Sequence, residues 1–336
     1  MLRTANYATY GGADLGEVLS TGYKIQVGNF ESWYAEWLDL ADRVTERAQV
    51  AIANDDDYSA GTNLFKASNY YRTAEFFLHG NPDDPRITTT WQKSRDTFRQ
   101  ALKLRRVNAE IVAIPYEKTT MPGYFYRVDN LSRPTLIIHG GFDSTGEELY
   151  FQVVQDALVH GYNCLTFDGP GQGAMIREQN IGFRNDWENV VSPVIDYLLT
   201  RDDVVADQIA LMGISFGGLL APRAAAFDHR LAAVVADDGL FSFQFSAAFR
   251  GHSEGLPSDD VIENEIKKLM TNSTQVRWVI DNGMYTFKAN TVMDLFAATE
   301  PYTLANVADK IECPVFVAEA EMMGSSKANR RCCMMH

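Results

Sequence analysis

Five residues limit the possible folds most: Gly213-Ile214-Ser215-Phe216-Gly217, set between an apolar run (QIALM) and a small-residue helical stretch (GGLLAPRAAAF). A buried strand followed at once by a helix leaves room only for a tight turn. Glycines two positions to each side of the serine remove the side chains that would collide in it. The hydroxyl would then stand above a sheet at a helix N-terminus, where peptide dipoles favour developing negative charge. The bland alternative is a glycine-rich packing turn.

From residue 106 onward the same pattern recurs. TLIIHG, NCLTFDG, QIALMG and LAAVVADDG are continuous apolar runs separated by helical stretches such as EELYFQVVQDALVHG and WENVVSPVIDYLLT. Runs of this kind predict a doubly wound, mainly parallel α/β sheet covered on both faces. Two alternating segments, AEIVAIPYE and PGYFYRVD, predict an antiparallel hairpin on its edge, with a Pro-Gly turn near Met121–Gly123. The first part of the core is therefore assigned to residues 106–240. Over 241–308 helical, aromatic-rich segments return and read as an insertion. CPVFVAEA, within 309–321, supplies one more core strand, and 322–336 reads as an irregular tail.

Residues 1–105 differ in texture. Phe30, Trp33, Trp37, Leu38 and Leu40 fit one helix face, and Phe65, Tyr70, Ala74, Phe77 and Leu78 fit another. A third helix is expected from about Thr88 to Leu104. These aromatics are expected to pack helix against helix, with one or two lining a substrate cavity as the alternative.

Composition narrows the partners. Thirty basic against forty-four acidic residues give a net charge of -14. Such a field repels phosphate backbones and anionic lipid surfaces, so neither nucleic acid nor membrane is expected as a partner. The start, MLRTANYATYGGADLGEV, has no apolar h-region, and the longest apolar stretches are strand-sized. Cys164 and Cys313 sit in or beside such runs, and no pair among these and Cys332 and Cys333 has metal-ligand spacing. A reducing, cytoplasmic setting is expected, with the peroxisome as the alternative although Met-Met-His does not resemble its address. No metal or organic cofactor is indicated. The expected partner is a small-molecule substrate, and a homodimer stays open.

Three further loops bear on chemistry. His139-Gly140-Gly141-Phe142-Asp143-Ser144-Thr145 follows the third strand, whose loop in this architecture carries one N–H of an oxyanion hole. The Phe142 amide is the expected donor, with Gly141 as the neighbouring possibility; Phe216, after the serine, would supply the other. His139 precedes the serine in the chain and is expected to be structural. In Asp168-Gly169-Pro170-Gly171-Gln172-Gly173, Asp168 is expected to anchor the turn, and Asp237 and Asp238 to cap the segment after their strand or to line the pocket.

The order HGGFDST, FDGPGQG, GISFGG and APRAAAF resembles the α/β-hydrolase superfamily. More narrowly it is similar to hydrolases of the fermentation-respiration-switch and dihydropseudooxynicotine type. That group includes fungal enzymes that shorten polyketide pigments and hydrolases of fungal toxin clusters. NYYRTAEFFLH, IPYEKTTMPGYFYR, FRNDWENVVSPVIDYLL and VFVAEAE extend the likeness to about Glu321. The resemblance implies a helical N-terminal cap and an inserted helical cap that together roof the site. It also implies Ser215-dependent hydrolysis of a small, fairly apolar ester, thioester or β-diketone-like polyketide in a fungal secondary-metabolite pathway.

A serine triad in this fold runs Ser, acid, His along the chain. The family position of the acid falls at or about Met323, but the sequence reads Glu319, Glu321, then MMGSSKANRRCCMMH. A helix, a final strand and a histidine loop would take roughly 30–60 more residues. Three readings stay open: a truncated product lacking the final strand and helix, a divergent site that recruits Glu321 or Glu319 with another histidine, or a non-catalytic binder on a hydrolase scaffold. His336, on a terminal tail, would be poorly preorganised as a base.

Overall fold

The computed structural model describes residues 1–246 and 258–318. It divides into two compact units, Met1–Ala109 with Tyr150–Gln155, and Glu110–Leu149 with the chain from Asp156 onward.

The first unit is helical: α1 (Leu2–Asn6), α2 (Leu15–Gly22), α3 (Phe30–Ala53), α4 (Asp57–Glu75) and α5 (Pro85–Leu104). Caps set the long helices. Asn29 and Asp56 accept from the amides of Ser32 and Ser59 at the starts of α3 and α4, and Asp84 precedes Pro85 at the first position of α5. Packed by both α3 and α5, α4 buries residues on every side, including Arg72 and Glu75. Phe65 packs on Phe98, Tyr150 and Phe151 with ring centroids 5.3–5.6 Å apart. These aromatics pack the helices, as the spacing predicts.

The second unit holds one seven-stranded sheet in the order β1-β2-β4-β3-β5-β6-β7. Its strands are β1 (Ala109–Tyr116), β2 (Thr119–Tyr126), β3 (Arg133–His139), β4 (Asn163–Phe167), β5 (Val204–Ile214), β6 (Ala233–Asp237) and β7 (Val315–Ala318). Strands β4, β3, β5, β6 and β7 run parallel, and β2 joins β4 antiparallel. Helices α6 (Val154–Val159), α7 (Gly173–Arg177), α8 (Glu188–Leu199) and α9 (Gly217–Ala225) connect them. After β6 come α10 (Asp259–Asn272), α11 (Thr274–Phe287) and α12 (Val292–Thr299), the last opened by a Thr291/Asp294 capping box. The doubly wound, mainly parallel sheet is the one the apolar runs predict.

The hairpin turn lies elsewhere than predicted. It falls at Glu117–Lys118, with Glu117 at φ +47°, while Pro122 and Gly123 sit inside β2. A Cβ on Gly123 would lie 2.5 Å from the Thr166 carbonyl of β4, so this glycine serves a close strand approach. Among the described residues no helix is long and apolar enough to cross a membrane.

Candidate active site

The sheet order reverses direction at β3 and β5: the chain leaves β3 towards β4 on one side and returns to β5 on the other. Crevices at the carboxyl ends of such strands are where open α/β sheets bind ligands. Register brings the two glycine loops together there, because His139 at the end of β3 lies beside Gly213 near the end of β5.

At the end of β5, Ser215 adopts φ +59° and its side chain is exposed. A non-glycine residue in this left-handed region costs about 1–3 kcal/mol and persists only where its surroundings impose it. Here they do: the Ser215 amide donates to the Asp237 carbonyl at 2.8 Å and the Gly218 amide to the Ser215 carbonyl at 2.7 Å. A Cβ on Gly213 would stand 2.0 Å from the Gly217 carbonyl oxygen, so the crossing of strand and helix admits only glycine. The turn thus presents a hydroxyl at the N-terminus of α9.

Facing it is the loop after β3. A Cβ on Gly141 would fall 2.6 Å from the Phe216 nitrogen and 3.1 Å from Ser215 Cβ, which brings this loop into backbone contact with the turn. The amides of Phe142 and Phe216 donate to no backbone acceptor among the described residues. Their rings, in contrast, are firmly held. Phe216 stacks on Phe243 at 4.1 Å, and Phe142 packs edge-on to the same ring at 5.4 Å. Trp278 and Phe287 of α11 complete the contact with Phe142. Buried side chains therefore fix two backbone segments whose N–H groups have no backbone partner among the described residues.

His139 is fully buried against Phe167 and Trp187, and its Nδ1 pairs with the Gly140 carbonyl at 3.0 Å. Burial lowers its pKa to about 4, so the ring is neutral and structural. Asp168 accepts from the amides of Gly146 at 2.7 Å and Ala174 at 2.9 Å, anchoring both loops. Burial, then the charge of Glu147, push its pKa up to about 7. Tyr124 donates to the other side of this pair, at Glu147 Oε1, 2.7 Å away.

Among the described residues, the capping role expected for Asp237 and Asp238 is not found. Burial alone raises Asp237, while burial and then Asp237 raise Asp238, and among the described residues no donor reaches either carboxylate. Asp238 instead turns the chain at φ +71°. Glu319, Glu321, Met323, Cys332, Cys333 and His336 lie outside the described residues. His229, paired with Glu312 at 3.4 Å, lies past the far end of nine-residue α9, a helix roughly 13 Å long that starts at the turn. Among the described residues no group of three or more His, Cys, Asp or Glu side chains could hold a metal ion.

Two residues at the site carry no motif of their own. Gln172 donates from its side chain to the Gly140 and Gly141 carbonyls, and Asn282 of α11 to the Phe142 carbonyl. Gln172 stands in a legible turn, FDGPGQG, but its partners lie about thirty residues away. Nothing in the sequence around Asn282 marks it.

An open parallel sheet, a left-handed serine at its switch point and a glycine loop against it define a hydrolase architecture. The chain belongs to the Alpha/beta hydrolase family, whose profile matches residues 135–332. It is 35% identical over 337 residues to Hydrolase LUC6 of a Fusarium species, covering 95% of this chain and 80% of that one. Identity is 34% to the 20-hydroxy-prefusarin hydrolase FUS2 of Gibberella moniliformis, with the same coverage. Among solved structures, the 2,6-dihydroxy-pseudo-oxynicotine hydrolase superposes with a TM-score of 0.73 at 23% identity, over 93% of this chain and 79% of that one. The fold is that of this family, and the relatives are fungal hydrolases.

Proposed function

We propose that the protein is a serine hydrolase in which Ser215 attacks a substrate carbonyl. The observation that carries this reading is the exposed serine at φ +59°, set against a glycine loop whose approach is so close that a Cβ on Gly141 would meet the Phe216 nitrogen at 2.6 Å. As the Oγ–C bond forms, the carbonyl oxygen gains charge and the amides of Phe142 and Phe216 receive it. Donors of this kind contribute about 10²–10³ in rate each. The hydroxyl proton passes to a base. His139 is unsuited to that task, because burial lowers its pKa to about 4, leaving it a weak base, and its Nδ1 is taken by the Gly140 carbonyl; Glu321 is the candidate acid partner of a histidine outside the described residues.

The substrate class we favour is a small ester, thioester or β-diketone-like polyketide intermediate of fungal secondary metabolism, in a toxin or pigment pathway. Two things support it: the kinship with a hydrolase named for 20-hydroxy-prefusarin, and the aromatic surroundings of Phe142. The substrate is a small molecule, and neither nucleic acid nor membrane is a partner. Among the described residues Cys164 and Cys313 are free, with Cys164 buried, which fits a reducing cytoplasmic setting; a homodimer is compatible with this reading.

Product analysis of the full chain on a matched ester and β-diketone tests the proposal. Turnover that drops by more than about 10³-fold in Ser215→Ala supports it. Ligand-induced thermal stabilisation with no turnover on any carbonyl substrate would replace it with a binding role.

A further inference from the structure

Three successive carbonyls of the loop after β3 accept hydrogen bonds from two buried carboxamides. Gln172 Nε2 donates to Gly140 O at 2.8 Å and to Gly141 O at 3.1 Å, and Asn282 Nδ2 donates to Phe142 O at 3.1 Å. Gln172 is 2% exposed and Asn282 fully buried. Gln172 Oε1 accepts from the Gly169 amide at 3.2 Å, which fixes the orientation of its carboxamide. A flip would set its oxygen against two carbonyls and its NH₂ against an N–H.

The consequence follows from peptide geometry. No peptide bond described is cis, and in a planar trans unit the C=O and the next N–H point in opposite directions. Holding the Gly141 carbonyl therefore turns the Phe142 N–H away from Gln172. The bond to the Gly140 carbonyl does the same for the Gly141 N–H. Glycine is needed at 141 for the close approach to Phe216, yet glycine is the residue least able to keep a peptide plane from rotating. The peptide plane between Gly141 and Phe142 is thus left to its hydrogen bonds for orientation, and the one that its carbonyl accepts comes from a side chain of the neighbouring turn.

Resting on the reading of Ser215 and Phe142 above, we infer that Gln172 is a positioning residue that aims the Phe142 amide of the oxyanion hole, while Asn282 ties the same loop to insertion helix α11. Gln172 touches no reacting atom; its effect travels through one peptide plane. Ionised glutamate at this position would set an acceptor against two carbonyls, whereas protonated glutamate can donate to one of them.

The experiment is the second-order rate of Ser215 phosphonylation by a fluorophosphonate, whose P–O group occupies the same hole, measured as a ratio to the unsubstituted chain at each pH. Gln172→Glu should label about 10²-fold more slowly at neutral pH and recover partly on acidification. Gln172→Met, apolar and of similar length, should label slowly at every pH. On a hydrolysed substrate, kcat should fall with KM little changed. Should Gln172→Glu fail to fold, Gln172→Met alone carries the test. Labelling of a folded variant within about threefold of the unsubstituted chain at all pH values overturns the positioning role. Failure of the unsubstituted chain itself to label removes the serine reading, and this inference with it.

Discussion

A Cβ placed on Gly141 would stand 2.6 Å from the amide nitrogen of Phe216, closer than any real Cβ approaches backbone. The loop after β3 and the turn after β5 therefore touch main chain to main chain, and the spacing between their two free amides depends on one absent methyl group. Gly141→Ala is expected to push the loop away from the turn. Phosphonylation of Ser215 should slow by about 10²-fold or more, the loss typical of one oxyanion donor. Parallel circular dichroism and thermal melts distinguish this local shift from unfolding. An unchanged labelling rate would mean that the loop does not serve the serine.

Strain at Ser215 makes a second prediction, on stability. Serine to glycine ordinarily costs up to about 1 kcal/mol through the freedom glycine gains in the unfolded chain. At φ +59° the folded state recovers that cost, because glycine enters the left-handed region without penalty. Ser215→Gly should therefore match or exceed the unsubstituted chain in urea unfolding while abolishing labelling. A loss above about 1 kcal/mol would contradict the strained turn.

The buried Asp168–Glu147 pair makes the third. Asp168 is raised to about 7 by burial and then by Glu147, against an unfolded value near 4. Between about pH 4 and 7 the folded chain holds more protons than the unfolded one, so this group's contribution falls as pH rises. Asparagine does not titrate. It carries a constant cost, since its NH₂ must face the N–H of Gly146 or Ala174. From pH 5 to pH 8 the stability difference should shift in favour of Asp168→Asn by more than about 1 kcal/mol. Parallel pH profiles from denaturant titrations would refute the raised value.

What the sequence reveals here is what local sterics dictate. Gly213 and Ser215 are legible because a strand, a turn and a helix in immediate succession leave few residues that fit. The sheet is legible because its central strands carry continuous apolar runs: LII in β3, CLTF in β4 and IALM in β5. Pro122 and Gly123 mislead: their types favour a turn, but Gly123 answers to the Thr166 carbonyl of a strand far away in the chain. Asp237 and Asp238 resemble caps, yet among the described residues no amide reaches either carboxylate, which residue type alone does not reveal. Gln172 and Asn282 act on carbonyls 31 and 140 residues distant, across contacts that only the folded sheet and α11 create.

The central claim is that the Ser215 hydroxyl is the nucleophile, and mass spectrometry of the fluorophosphonate-treated, digested chain tests it most directly. A single adduct on the peptide bearing Ser215, absent from Ser215→Ala, is the predicted result. A folded chain that carries no adduct, or carries the same adduct after Ser215→Ala, would contradict it.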